Sequence, residues 1–135
     1  PIPEYSLESF RRVLDVNVVG VFLGMKHVLP VMLKQNKGSI INTASIAGLM
    51  GSPMIAVYSA SKHAVIGLPK SAAWGCTGTG VRVNCVCPGL IVDRIPARRL
   101  GQASDVASVV AFLASDEASY VSGSAYTVDG GRTAA

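Results

Sequence analysis

Apolar residues recur every three or four positions over three stretches of the chain, and each stretch predicts a helix. The first covers 6–34, with a bend expected near Asn17 or Pro30, where a polar side chain and a missing backbone donor interrupt the pattern. The second covers 57–74, and the third opens at Ser104, whose hydroxyl suits the start of a helix. The chain is therefore expected to contain three main helices.

Short runs rich in β-branched or apolar residues lie between and after these helices and predict strands. They cover 39–45, 81–87 and Ala125–Val128, and glycine or proline occurs soon after each of them. Strands that alternate with long helices favour a parallel sheet with helical crossovers. The sequence therefore predicts an α/β fold in which about three strands and three main helices form a single domain over residues 1–135.

Composition supports one compact domain and narrows the class of protein. The chain has 135 residues, of which 50% are hydrophobic and 15% charged, so it can bury a core and is too apolar to be disordered. Its net charge of +4 is dispersed apart from Arg94, Arg98 and Arg99, so we expect no nucleic-acid partner. The longest clean apolar run, 18–25, is shorter than a bilayer requires, so we expect no membrane span.

The odd number of cysteines, three, argues against a disulfide framework and indicates a reducing compartment, which we take to be the cytoplasm. Cys85 and Cys87 alternate within a predicted strand and are interpreted as core residues, because no histidine stands near them to complete a metal site. Cys76 lies in the glycine-rich connector 75–80, where we expect an exposed thiol. No metal site is predicted.

Candidate chemistry lies where the predicted strands end, because ligands of open parallel sheets bind beyond the carboxyl ends of the strands. Ser45 lies at the end of the first strand, 88–89 follows the second and 129–131 follows the third. Tyr58 and Lys62 stand four residues apart near the start of a helix and so share one face. A phenol is a poor acid or base near neutrality, but a neighbouring ammonium and a helix N-terminus both favour the phenolate. Taken alone, the pair has a simpler interpretation as a surface tyrosine beside a solvated lysine.

Several segments occur in an order and at spacings that resemble the short-chain dehydrogenase/reductase family. They are 42–48, 58–62, 82–84 with 88–89, 112–120 and 128–131. The likeness covers nearly the whole chain. It implies the catalytic and C-terminal portion of a Rossmann-like, doubly wound parallel sheet, in an oxidoreductase that transfers a hydride between NAD(P)(H) and a secondary alcohol or ketone.

The resemblance implies roles for four residues of a catalytic site. Tyr58 would act as the general acid or base at the substrate oxygen, and Ser45 would hydrogen-bond that oxygen. Lys62 would hold the hydroxyls of the nicotinamide ribose and favour the phenolate of Tyr58. Asn17 matches the asparagine that supports the lysine through a water in a proton relay. Without the resemblance, Asn17 is a polar residue that satisfies its own helix backbone.

The resemblance also implies a site for NAD or NADP. Tyr58 and Lys62 would contact the cofactor, while Pro88, Gly89 and the backbone of Ile91 would line the nicotinamide. Family members hold the pyrophosphate and the adenosine with an N-terminal βαβ unit that carries a glycine-rich turn, and this sequence contains no such unit. The sequence therefore does not choose between NAD and NADP.

Two departures from the family bear on function. The absent unit leads us to expect the C-terminal portion of a longer enzyme, or a truncated relative that self-associates. The segment after Gly89 is short, because 93–101 leads almost directly into the last helix, and Asp93 stands where the family has threonine. We therefore expect no lid of the usual length over the substrate.

Two functions of different classes follow. The first is an NAD(P)-dependent oxidoreductase that acts on a small-molecule alcohol or carbonyl compound and forms a homo-oligomer through its two long helices. The alternative is a catalytically inactive module that acts through helix-mediated dimerisation, because the apolar faces of those helices suit a subunit interface whether or not the chemistry is retained.

Overall fold

The computed structural model describes residues 2–89 and 95–134. After a 3₁₀ turn at Ile2–Glu4 comes one helix of 29 residues, Leu7–Gln35, made of α1 (Leu7–Leu14), a π-helical segment (Asp15–Val19) and α2 (Gly20–Gln35). Ser6 caps the start of this helix, since its Oγ accepts a hydrogen bond from the backbone N–H of Ser9 at 3.1 Å. The first predicted helix is thus confirmed.

The irregular part of this helix falls at Asn17, one of the two positions that the sequence indicated. The backbone N–H of Gly20 donates to the carbonyl of Asp15, five residues earlier, so the turn holds one residue more than an α-helical turn. Pro30 lies inside α2 and does not end it. Widened turns of this kind occur frequently at functional sites, and Asn17 occupies the middle of this one.

Within the described ranges, three strands form one parallel sheet in the order β1-β2-β3, with β1 at Gly38–Thr43, β2 at Val81–Pro88 and β3 at Ala125–Val128. In the pairing of β1 with β2, Thr43 stands opposite Val86; in the pairing of β2 with β3, Pro88 stands opposite Val128. The carboxyl ends of all three strands therefore meet at one edge, and the predicted parallel sheet is confirmed.

Helices cover both faces of β2. On one face α2 and α3 (Ala56–Gly75) pack against Val83, Cys85 and Cys87, and on the other α4 (Ala103–Ala114) packs against Val86. These four side chains of β2 are at most 1% exposed. The α/β class with a Rossmann-like, doubly wound sheet of three strands and three main helices is confirmed, and the burial of Cys85 and Cys87 agrees with their interpretation as core residues.

The expectation of an exposed thiol at Cys76 is wrong. Helix α3 extends to Gly75, so the chain turns directly beneath α2, and the Cys76 side chain packs with Met25, Val81 and Val83. Burial raises the pKa of this thiol. The glycine-rich composition indicated a connector, but composition alone does not determine which side chains of a connector face the core.

Much of the Leu7–Gln35 helix is apolar and exposed. Val16, Phe22 and Val31 are 69%, 46% and 55% exposed. Among the described residues this helix is long and apolar enough to cross a membrane, with a mean hydropathy of 1.7 over its most apolar window. A helix that packs on another protein surface meets the same criteria, so the absence of a membrane span stays a prediction, which rests on polar residues such as Asn17 and Lys26.

Asn84 is fully buried and joins β2 to the loop before β3. Its Nδ2 donates to the carbonyl of Val121 at 2.8 Å, and its Oδ1 accepts from the backbone N–H of Ser124 at 3.1 Å. A single side chain thereby satisfies two backbone groups of a loop that has to hold β3 in register.

We expect Asn84→Ala to lower the free energy of unfolding by about 2–4 kcal/mol, because two backbone groups lose their partners and a cavity remains. Urea denaturation followed by circular dichroism measures the change. The control is Ser108→Ala on the exposed side of α4, which should stay within about 0.5 kcal/mol of the wild type. An Asn84→Ala protein as stable as the control would contradict this account.

Candidate active site

A cavity of about 640 Å³ opens where β1 and β2 end. Five of the residues proposed from the sequence line it, namely Ser45, Tyr58, Lys62, Pro88 and Gly89. Ligands of open parallel sheets bind at this edge, so the position agrees with the general rule for the fold. The hydroxyl, the phenol and the ammonium, which come from two separate parts of the chain, thus face one shared space.

Ser45 lies just beyond the end of β1, and hydrogen bonds of the residues before and after it fix its position. The backbone N–H of Ala44 donates to the carbonyl of Val86 at 2.8 Å, which extends the pairing with β2 by one residue. Ser45 then caps a 3₁₀ turn, Ile46–Gly48, because its Oγ accepts from the backbone N–H of Ala47 at 3.2 Å. Since Oγ acts there as an acceptor, its own proton stays available to donate to an oxygen in the cavity.

Tyr58 and Lys62 share one face near the start of α3, as their spacing predicts. The Lys62 Nζ lies 5.7 Å from the centroid of the Tyr58 ring, within the range of a cation–π contact. It also donates to the backbone carbonyl of Thr43, the last residue of β1, at 2.9 Å. The lysine therefore connects the tyrosine to the end of the strand that leads to Ser45.

Asn17 does not line the cavity but is joined to it by hydrogen bonds. Its Nδ2 donates to the Oγ of Ser61 at 3.0 Å, and that hydroxyl donates to the backbone carbonyl of Tyr58 at 2.7 Å. Ser61 is fully buried and was not identified from the sequence. The remaining proposed residue, Ile91, lies outside the described residues.

The thiol of Cys87 lies close to the base of the site, which the sequence did not indicate. A hydrogen bond with Cys85 lowers the pKa of Cys87, burial opposes this shift, and the backbone N–H of Ser45 and the charge of Lys62 add to the lowering. The same sulfur–sulfur hydrogen bond and burial raise the pKa of Cys85. Alternation along β2 predicted which face Cys87 occupies, but only the packing shows that Ser45 and Lys62 lie near it.

Asp129 directly follows the end of β3, at the same edge of the sheet. Its carboxylate accepts from the backbone N–H of Gly131 at 3.0 Å and from the N–H and hydroxyl of Thr133 at 2.8 and 2.7 Å. Burial by itself would raise the pKa of Asp129, but these hydrogen bonds outweigh it and lower the pKa. A Cβ on Gly89 would lie 2.8 Å from the Asp129 Cβ, so the absence of a side chain at Gly89 lets the two strand ends approach.

The doubly wound sheet and the cavity at its carboxyl edge define a Rossmann-like α/β protein. Comparison with known proteins then specifies the family. A family model described as short chain dehydrogenase matches residues 1–99, and one described as Enoyl-(Acyl carrier protein) reductase matches residues 91–133. The chain belongs to the short-chain dehydrogenase/reductase family.

Among similar proteins, cyclohexanol dehydrogenase from Acinetobacter sp. is 48% identical, over 96% of this chain and 57% of its own length. The crystal structure of levodione reductase superposes with a TM-score of 0.97 at 34% identity, covering 100% of this chain and 62% of that one. A 4-hydroxyisoleucine dehydrogenase complexed with NADH and succinate gives a TM-score of 0.93 at 38% identity, covering 100% and 64%. The chain thus spans about three fifths of the length of these relatives.

The lowered pKa of Asp129 makes its contribution to stability depend on pH. We expect Asp129→Asn to lower the free energy of unfolding at pH 7 by about 1–3 kcal/mol, because a charged acceptor of buried hydrogen bonds is lost. Since the native pKa lies below the ordinary value of 3.8, this stabilisation is present above that value and is lost as the pH falls through the native pKa.

The difference between wild type and Asp129→Asn should therefore be constant above about pH 5 and shrink on further acidification. Urea denaturation over a pH series measures it. The control is Asp116→Asn, which removes a carboxylate from an exposed turn. A difference that grows as the pH falls would have the wrong sign for this assignment.

Proposed function

We propose that this chain forms the catalytic portion of an oxidoreductase that transfers a hydride between NAD or NADP and a secondary alcohol or ketone. The observation that carries the proposal is that Ser45, Tyr58 and Lys62 line one cavity at the carboxyl edge of the sheet. Membership of the family supports it, because the family uses NAD or NADP and its named relatives are dehydrogenases and reductases of alcohols and carbonyl compounds.

The residues of the cavity fit the nicotinamide end of such a cofactor. The ammonium of Lys62 has three donors, of which the Thr43 carbonyl takes one, so two remain for ribose hydroxyls. Pro88 and Gly89 form part of the cavity wall and add little side-chain bulk to it. When bound, the nicotinamide supplies or accepts the hydride. Ile91 is proposed as a further wall residue on the resemblance alone.

Tyr58 and Ser45 are proposed to act on the substrate oxygen. In the reducing direction Tyr58 donates its phenolic proton to the carbonyl oxygen, and in the oxidising direction the phenolate takes the hydroxyl proton back. Ser45 donates a hydrogen bond to the same oxygen and stabilises the negative charge that develops there. The tyrosine is about one third exposed, so a substrate oxygen can reach it from the cavity.

Lys62 and Asn17 are proposed to support Tyr58. The ammonium of Lys62 lies 5.7 Å from the centroid of the Tyr58 ring, and its hydrogen bond to the Thr43 carbonyl holds it there. Asn17 is proposed to support Lys62 through a water, and its hydrogen bond to Ser61 fixes its side chain relative to the first turns of α3.

A homo-oligomer formed through the two long helices is part of the proposal. The exposed apolar side chains of the Leu7–Gln35 helix, and Trp74 near the end of α3, which is 84% exposed, support it because monomers seldom leave such surface uncovered. The alternative, an inactive association module, receives no support from the comparisons, since the matched relatives carry the names of enzymes.

We expect Tyr58→Phe to lower kcat for carbonyl reduction by at least about 100-fold, because the proton donor is removed while the ring and the fold stay in place. Oxidation of NADH or NADPH with cyclic ketones, followed at 340 nm, measures the rate. Tyr120→Phe is the matched control, since the Tyr120 side chain is fully exposed, and it should retain wild-type activity. Equal rates in the two variants would rule out Tyr58 as the acid.

We expect Lys62→Ala to weaken binding of NADH or NADPH by about 10-fold or more, because hydrogen bonds from a charged donor to the ribose are lost. Titration followed by cofactor fluorescence measures the dissociation constant. Lys70→Ala, an exposed lysine two turns further along α3, is the control and should bind as the wild type does. Unchanged affinity in Lys62→Ala would show that the ribose is held elsewhere.

A further inference from the structure

Gly48 occupies a position where no side chain fits. A Cβ added there would lie 2.5 Å from the backbone carbonyl oxygen of Lys62, 2.7 Å from its carbonyl carbon and 2.8 Å from the Cδ1 of Ile66. Two of these three atoms are backbone atoms inside α3, which cannot rotate away as the end of a side chain can. The backbone of Gly48 itself does not have the positive φ that favours glycine. The contact with α3, and not the turn conformation, therefore excludes a side chain.

Gly48 is also connected to Ser45 by hydrogen bonds within the Ile46–Gly48 turn. The backbone N–H of Gly48 donates to the carbonyl of Ser45 at 2.9 Å, and the N–H of Ala47 donates to its Oγ at 3.2 Å. Ile46, Ala47 and Gly48 are all buried, and the turn lies between α3 and the cavity, which Ile46 and Ala47 line. The turn therefore contacts Ser45 on one side and α3, which carries Tyr58 and Lys62, on the other.

We propose that Gly48 is a positioning residue that sets the separation between Ser45 and the Tyr58–Lys62 turn. This inference rests on the proposed function, since the separation matters only if Ser45 and Tyr58 act on the same substrate oxygen. The packing of the Ile46–Gly48 turn on α3 is close enough that the thickness of one methyl group changes it.

Adding a methyl group at Gly48 forces the turn away from α3 by about 0.5–1 Å, because non-bonded carbon and oxygen atoms do not approach below about 3 Å. Helix α3 packs on β2 through the buried side chains of Val65 and Ile66, so the shorter turn moves towards the cavity and takes Ser45 with it. A displacement of this size in a reacting group can lower a rate by up to about 100-fold.

The first experiment uses the folded chain without cofactor or substrate. Backbone amide chemical shifts are compared between wild type, Gly48→Ala and the control Gly67→Ala, which places a methyl group on α3 where nothing lies within 4 Å. We expect Gly48→Ala to shift the amides of Ser45, Ala47 and the residue after Lys62, and Gly67→Ala to leave Ser45 and Ala47 unchanged. Unshifted Ser45 and Ala47 resonances in Gly48→Ala would overturn the inference whatever the activity.

The second experiment is a double-mutant cycle on kcat with Ser45→Ala. If Gly48 acts through Ser45, Gly48→Ala lowers kcat by about 10–100-fold in the wild-type background but by less than about 3-fold when Ser45 is already alanine. The KM for the cofactor should change less than about 2-fold. An equal loss in both backgrounds would mean that Gly48 is needed only for packing and would overturn the positioning role.

Should Gly48→Ala not fold, Ile66→Val provides the second variant, since it removes the Cδ1 atom beside Gly48 and adds nothing. It should cost about 0.5–1.5 kcal/mol of stability and shift the same Ser45 and Ala47 amides, and its smaller loss of kcat should again disappear in the Ser45→Ala background. A wild-type chain that reduces no carbonyl compound would count against the proposed function, while the amide shifts would still decide whether Gly48 sets the separation.

Discussion

The parallel pairing of β1 with β2 determines where the groups of the site lie. Because Thr43 stands opposite Val86 and the Ala44 N–H continues the ladder beyond the end of β1, the residue after it, Ser45, emerges level with the end of β2. A shift of register by one residue would turn every side chain of β1 to the other face of the sheet and carry Ser45 away from Tyr58. The arrangement of the cavity therefore depends on backbone hydrogen bonds in which none of the proposed catalytic side chains takes part.

The second constraint is the burial of β2 on both faces. Since Cys85 and Cys87 point towards α3 and Val86 towards α4, the strand is fixed in rotation as well as in register. Helix α3 packs on the sheet through Val65 and Ile66, and its first turns extend beyond the end of the strands, where they present Tyr58 and Lys62. The sulfur of Cys87 fills the space beneath Ser45 and Lys62, so the polar groups of the site rest on a tightly packed core.

Much of this could be predicted from the sequence, for identifiable reasons. Helices and strands were predicted to within a few residues because long segments keep a clear hydrophobic period, and Tyr58 and Lys62 were placed together because a spacing of four fixes one face of a helix. Ser45 became a candidate because it ends a predicted strand and ligands bind at the carboxyl edge of a parallel sheet. Each of these inferences uses only local geometry.

What the sequence did not reveal depends on contacts between distant segments. The burial of Cys76, the proximity of Cys87 to Lys62 and the hydrogen bond from Asn17 to Ser61 each join residues from different elements. Gly48 is a further case, because a glycine in a turn has an obvious local explanation that the structure does not support. Periodicity indicates which face of a helix or strand is buried. Which residues of other elements contact that face is determined by the packing of the whole fold.

The π-helical turn links the exposed apolar helix to the site. An extra residue between Asp15 and Gly20 widens the turn, and Asn17 at its centre is bonded through Ser61 to the carbonyl of Tyr58. Since Ser61 is fully buried, neither hydrogen bond can be exchanged for one to bulk water without opening the helix pair. The Leu7–Gln35 helix is therefore connected to the proposed acid by two hydrogen bonds. A partner that packs on this helix and stabilises it would also stabilise the position of Tyr58.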